Sequence, residues 1–220
     1  MTILEAITAR HSVRAYIDKP IPEGIIKELN NEIDVCNTEG GLNIQLVTDE
    51  PKAFDGFMAH YGKFSGVKNY IALIGKKSDD LEEKLGYYGE RVAIKAQMLG
   101  LNTCWVAMSF SKGVTRKSCT IGKDEKLVCV LSLGYGKTQG VAHKSKPAAD
   151  LYKTCDTMPD WFQAGIEAAM LAPTAMNQQK FLFTLSEDSV KVISLGGFYS
   201  KVDLGIVKYH FEIASGHKTE

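Results

Sequence analysis

The chain has 220 residues, enough for one large or two small domains, and 45% of them are hydrophobic, enough to fill a core. Lysine plus arginine, 26, equals aspartate plus glutamate, 26, so no general field draws the molecule to nucleic acid or an anionic membrane. No apolar run approaches the roughly 18 residues of a membrane span, and the five cysteines, Cys36, Cys104, Cys119, Cys129 and Cys155, form no CxxC pair. They read as buried free thiols in a reducing compartment, so a soluble cytoplasmic protein without disulfides or structural zinc is expected.

In chain order, Thr2 and Glu5 fit a capping box, and Ile3, Leu4 and Ile7 share a helical face that ends at, or runs into, RHSVR. Pro22 suits the first turn of a second helix, whose stripe Ile25, Ile26, Leu29 and Ile33 runs to about residue 36, leaving NTEGG as a loop. LNIQLVT (42–48) and NYIALIG (69–75) read as strands. Apolar residues from Leu81 to Leu99 recur at steps of three or four up to Gly100, which predicts the longest helix and a glycine cap. TCWVAM and KLVCVLSLG read as buried strands around a polar stretch, SKGVTRKSCTIGKDE. A helix from Pro159, strands near 180–186 and 190–195, and an amphipathic helix over 202–214 complete the pattern. Without a linker or low-complexity run, one α+β domain spanning 1–220 is expected. A faint similarity of 21–50 to 158–188 also allows two half-units, 1–150 and 151–220. Both segments read proline, acid, helix, polar loop, strand; the loops, NTEGG and APTAMNQQ, differ.

Arg10, Ser12 and Arg14 stand at i, i+2 and i+4 and offer fork-like donors suited to a phosphate or a developing anion, although a solvated helix end has the same composition. HKSK (143–146) forms a second basic patch, open to the same two readings. GYGKTQG (134–140) fails the P-loop pattern at Leu131 and the dinucleotide fingerprint at Gln139. No HExxH, GxSxG or paired-histidine spacing occurs, which argues against a metal site or serine hydrolase. Chemistry is then expected from a cofactor, with the protein supplying donors and orientation.

ARHSVRAYIDKPIP, AQMLGLNTCWV, LSLGYG followed by HKSKP, and APTAMNQQ together resemble the FMN-dependent nitroreductase family, in particular a divergent subgroup with its AP(S/T)xxNxQ cassette near the C-terminus. The resemblance implies an α+β nitroreductase-like fold with a mixed or antiparallel central sheet flanked by helices. It implies FMN as cofactor and NADH or NADPH as electron donor, with hydride passing through flavin N5 to a small acceptor such as a nitroaromatic or quinone. No residue of the chain is then a catalytic acid or base. A flavin-binding or regulatory protein without efficient turnover is the alternative.

By the same resemblance Arg10 and Ser12, with His11 between them, grip the phosphate and ribityl end, and Arg14 lies near flavin N1, where a cation stabilises the reduced ring. Lys144 and Lys146 close around the phosphate. Ala107 or Met108 presents a backbone N–H to N5, and Pro173, Thr174, Ala175, Asn177 and Gln179 cover the ring. The resemblance also implies a flavin at a homodimer interface. The late cassette suggests instead a monomeric pseudo-dimer in which one chain supplies both walls.

Overall fold

The computed structural model describes residues 1–154, 157–187 and 189–220, so Cys155 lies outside the described residues. Helix α1 (Ile3–Ala9) starts at the expected reciprocal cap, with Thr2 and Glu5 each accepting the other's backbone N–H. Helix α2 (Glu23–Gly40) follows and does not stop at residue 36. It runs through NTEG because Thr38 back-bonds to the Asp34 carbonyl and Gly41, at φ 62°, supplies the left-handed cap. Asn37 then pairs with both backbone groups of Ile44 at 2.7 and 2.9 Å, and the strand that follows shrinks to β1 (Gln45–Val47).

Helix α3 (Phe57–Tyr61), strand β2 (Asn69–Lys76), helix α4 (Leu81–Met98), strand β3 (Asn102–Val106), helix α5 (Lys112–Ser118) and strand β4 (Glu125–Gly134) complete the first part. At 18 residues α4 is matched in length by α2. The polar stretch between β3 and β4 holds a helix that periodicity did not reveal, α5, which Ser111 caps through Val114 N–H. The remaining elements are β5 (Tyr152–Thr154), α6 (Asp160–Ala169), β6 (Phe181–Ser186), β7 (Ser189–Ser194) and α7 (Ser200–Ser215).

The main sheet is antiparallel with order β1-β2-β4-β3; a smaller one, β5-β6-β7, has one parallel and one antiparallel pairing. Strand β2 is covered on both faces. Ile71 and Leu73 enter the larger core with α2, α4, α6 and α7, while Tyr70, Ala72 and Ile74 enter a second core with Val13, Tyr16 and Phe54. That double burial explains its unbroken apolar sequence.

Helices α4 and α7 cross with their backbones almost touching. A Cβ on Gly205 would stand 1.9 Å from the Glu83 carbonyl oxygen, and one on Gly86 2.0 Å from that of Val202. Two glycines therefore set how closely α7 lies on α4, and so where Val202, Asp203 and Ile206 fall. Among the described residues, no helix is long and apolar enough to cross a membrane.

Candidate functional site

Past the cap of α1 the chain becomes extended. Val13 N–H donates to the Thr103 carbonyl at 3.0 Å, Tyr16 N–H to Ser65, and the Tyr16 hydroxyl bonds Val13 O at 2.7 Å and Ser132 Oγ at 2.8 Å. Ser12 bridges to Thr103 on β3. This docking turns alternate side chains apart, as expected of extended backbone. Arg14 and Ser12 face a cleft also lined by Ala107, Pro173, Thr174 and Ala175. Residues widely separated in sequence thus meet within one chain: the basic segment forms one wall and the cassette the other. Arg14 is exposed and makes no ion pair among the described residues.

Arg10 is placed differently. It is 3% exposed and points into the protein, with Nε 3.2 Å from Glu90 Oε1 but not aligned as a hydrogen bond, and Nη1 has no partner. Glu90, fully buried on α4, also accepts from Trp105 Nε1 at 2.7 Å and lies 3.0 Å from His210 Nε2. The other ring nitrogen of His210 faces the Ala168 carbonyl at 3.0 Å, so the ring bridges the Glu90 carboxylate on α4 to the backbone of α6. Burial alone would raise the Glu90 pKa; the Arg10 guanidinium, His210 and Trp105 together bring it below the usual carboxylate value. Trp105 lines the cleft, so this buried network fixes part of its wall.

The carboxamides of the cassette bond to the protein's own groups. Asn177 Nδ2 and Gln179 Nε2 both donate to the Lys144 carbonyl at 2.9 Å, while Gln179 Oε1 accepts from Lys146 N–H at 2.8 Å and Lys146 Nζ reaches the Gln179 carbonyl at 3.0 Å. The cassette and the HKSK segment are one strapped unit. Met176, Asn177 and Gln179 have φ of 53°, 54° and 46°, a left-handed backbone that costs of order 1–2 kcal/mol per non-glycine residue. The side-chain bonds offset that cost. Gln179→Ala should therefore loosen residues 144–146, with a loss of about 1–3 kcal/mol measurable by denaturant unfolding and faster amide exchange in that segment. Lys144 and Lys146 are exposed and lie outside the cleft lining, as do Asn177, Gln179 and Met108; His11 is half-buried against Gly140.

One group in the cleft escaped the sequence reading. Asp203, in the first turns of α7 and 5% exposed, accepts from Ala175 N–H at 2.9 Å through Oδ1 and from Gln178 Nε2 at 2.7 Å through Oδ2. Burial pushes its pKa up to about 6 against the opposing pull of those two bonds. The available signal was an acid embedded in VDLGIV, but an acid near a helix N-terminus is also ordinary dipole complementation.

The enclosed part of the cleft, about 120 Å³, is below the roughly 300 Å³ at the low end of small-molecule sites. A cofactor-sized ligand would sit partly inside and partly at the mouth, where Met176 is exposed. An unpaired guanidinium, a hydroxyl and a backbone turn after a strand suit a planar, acceptor-rich ring, and so fit a flavin.

Comparison with known proteins supplies an independent line. A family model described as "Putative TM nitroreductase" matches residues 2–215. Among solved structures, a "putative nitroreductase" of Thermotoga maritima is similar over 97% of this chain and 83% of its own, at 23% identity and a TM-score of 0.66. A "Putative NADH dehydrogenase/NAD(P)H nitroreductase" of Parabacteroides distasonis gives 20% identity and a TM-score of 0.54 over 68% of this chain and 95% of its own. A nitroreductase family protein of Streptococcus pneumoniae gives 12% and 0.53 over 68% and 98%. At these identities the likeness is one of fold. No curated protein matches the chain.

Proposed function

This chain belongs to the nitroreductase family, and from that premise we propose that it is an FMN-dependent oxidoreductase that passes hydride from NADH or NADPH to a small acceptor such as a nitroaromatic or quinone. The observation that carries the proposal is the meeting of Ser12, Arg14, Ala107 and Pro173–Ala175 on one cleft. FMN, when bound, supplies the hydride chemistry. The chain's residues do the rest. Arg14 holds a positive charge beside the place where a reduced ring becomes anionic, and Ser12 and the backbone at Ala107 or Met108 orient it. Pro173, Thr174 and Ala175 exclude water from the opposite face.

Arg10, held inward by Glu90, is left out of the phosphate grip, and the exposed Lys144 and Lys146, on the segment strapped to the cassette, are the cations that remain for it. Asn177 and Gln179 act indirectly, by holding the cassette's shape. Fluorescence titration tests the assignment: Arg14→Ala should weaken FMN binding about 10- to 100-fold, matching the ~1.5–3 kcal/mol of a charge-assisted hydrogen bond. Unchanged affinity would remove Arg14 from the site. Binding of FMN without bleaching by NADH or NADPH would favour a flavin-binding protein that does not turn over.

A further inference from the structure

We propose that Asp203 supplies the proton that a two-electron acceptor requires when it is reduced in this cleft. The inference rests on the reading above, that the acceptor meets a hydride donor there, and adds a residue that the family resemblance did not imply. Its basis is geometric. Asp203 lines the same cleft as Arg14 and Ser12, on the wall formed by α7, and is nearly closed to solvent. Ala175 N–H and Gln178 Nε2 hold its two oxygens in a fixed orientation, so the carboxyl is aimed and not free to rotate.

The surrounding groups leave Asp203 as the proton-exchanging member of the set. The Arg14 guanidinium offers hydrogen bonds and no exchangeable acid of its own. Burial raises the thiols of Cys104 and Cys129 and the phenol of Tyr199, which all face the cleft, so they remain protonated near neutrality. Glu82, from α4, is already paired with Lys126 at 2.8 Å. A carboxyl that titrates at about 6 holds an appreciable proton population near neutral pH, the condition for an effective general acid.

The step balances. A quinone accepts a hydride, two electrons with one proton, from a reduced flavin or nicotinamide and becomes a hydroquinone monoanion. The Asp203 O–H bond breaks as a new O–H bond forms on the acceptor oxygen, and the carboxylate regains its proton from water at the cleft mouth.

Two acceptors separate proton supply from electron supply. 1,4-Benzoquinone needs the proton; ferricyanide takes one electron and none. With FMN-loaded protein and NADH, Asp203→Asn should lower the ratio of quinone to ferricyanide turnover by about 100-fold, within the range for general acids. The wild-type quinone rate should fall as pH rises through about 6, and that limb should vanish in the variant. An equal loss with both acceptors, or an unchanged ratio, would overturn the proposal. If the wild type reduces neither acceptor, the reading of the cleft as a reductase site fails, and the proposal with it.

A readout without cofactor stands beside these. Carboxyl-carbon NMR of the protein alone should show Asp203 titrating near 6, and higher in Gln178→Ala, which removes a bond that lowers its pKa. A midpoint in the ordinary carboxylate range of about 4 would also overturn the assignment. The Gln178→Ala arm keeps the test open should Asp203→Asn fold poorly.

Discussion

Gly205→Ala is expected to lower stability by at least about 3 kcal/mol, at or beyond the upper end of ordinary overpacking. The reason is what the new methyl would meet. The Glu83 carbonyl oxygen at 1.9 Å and the Tyr87 amide nitrogen at 2.6 Å belong to the backbone of α4, and a helix backbone cannot swing aside as a side chain can. The helices must part, and with them the α7 wall of the cleft. Gly86→Ala should behave alike, because its Cβ would stand 2.0 Å from the Val202 carbonyl. Gly113→Ala in α5 is the control. Nothing lies within 4 Å of its Cβ position, so better helix propensity should stabilise by up to about 1 kcal/mol. Urea unfolding of the variants decides the matter; equal, small effects at Gly205 and Gly113 would mean that α4 and α7 are not in backbone contact.

The second large effect is expected at Glu90. Replacing it by Gln leaves the Arg10 guanidinium without a counter-charge in a fully buried site and disturbs the contacts to His210 and Trp105, at a cost of about 3–5 kcal/mol. Adding Arg10→Met should recover part of that loss, since it removes the stranded charge, so the double-mutant cycle should show coupling well above 0.5 kcal/mol. The pH dependence has a defined sign. The Glu90 pKa is lower in the folded state than its ordinary 4.5, so its stabilisation is present above that value and is lost as pH falls through the folded one. Asp203 runs the other way. Its raised pKa contributes stability that is present below about 3.8 and is lost as pH rises through about 6. Asp203→Asn should remove that slope from a plot of stability against pH.

Much of the fold was legible because periodic burial writes itself into sequence. The capping box at Thr2, the stripe of α4 up to Gly100 and the apolar strands β2 and β4 all emerge as read; that β2 and β4 pair was not in the periodicity. What stayed hidden depended on side-chain bonds and tertiary partners that periodicity does not record. Helix α2 continues past residue 36 because of local side-chain bonds and Gly41, not because of an apolar stripe. Strand β5, three residues long, exists only beside β6. The candidate site shows the same division. Spacing brought Ser12 and Arg14 into view and the family resemblance the cassette, but neither gave the direction in which each side chain points. That direction is set by Val13 pairing with Thr103, which turns Arg14 outward, and by Glu90, which holds Arg10 inward from a helix some 80 residues away. The carboxamides of LAPTAMNQQ looked like ligand contacts; the structure uses them to bind the segment around Lys144 and the carboxyl of Asp203.

The central claim is that one chain supplies both walls of a flavin site. Light scattering of the FMN-saturated protein, combined with its bound-flavin absorbance, tests it most directly. One FMN per 24.2 kDa chain, retained when the protein is diluted to a monomer, is the expected result. Failure to hold flavin at micromolar concentration, or flavin held only by a dimer and lost as it dissociates, would contradict it.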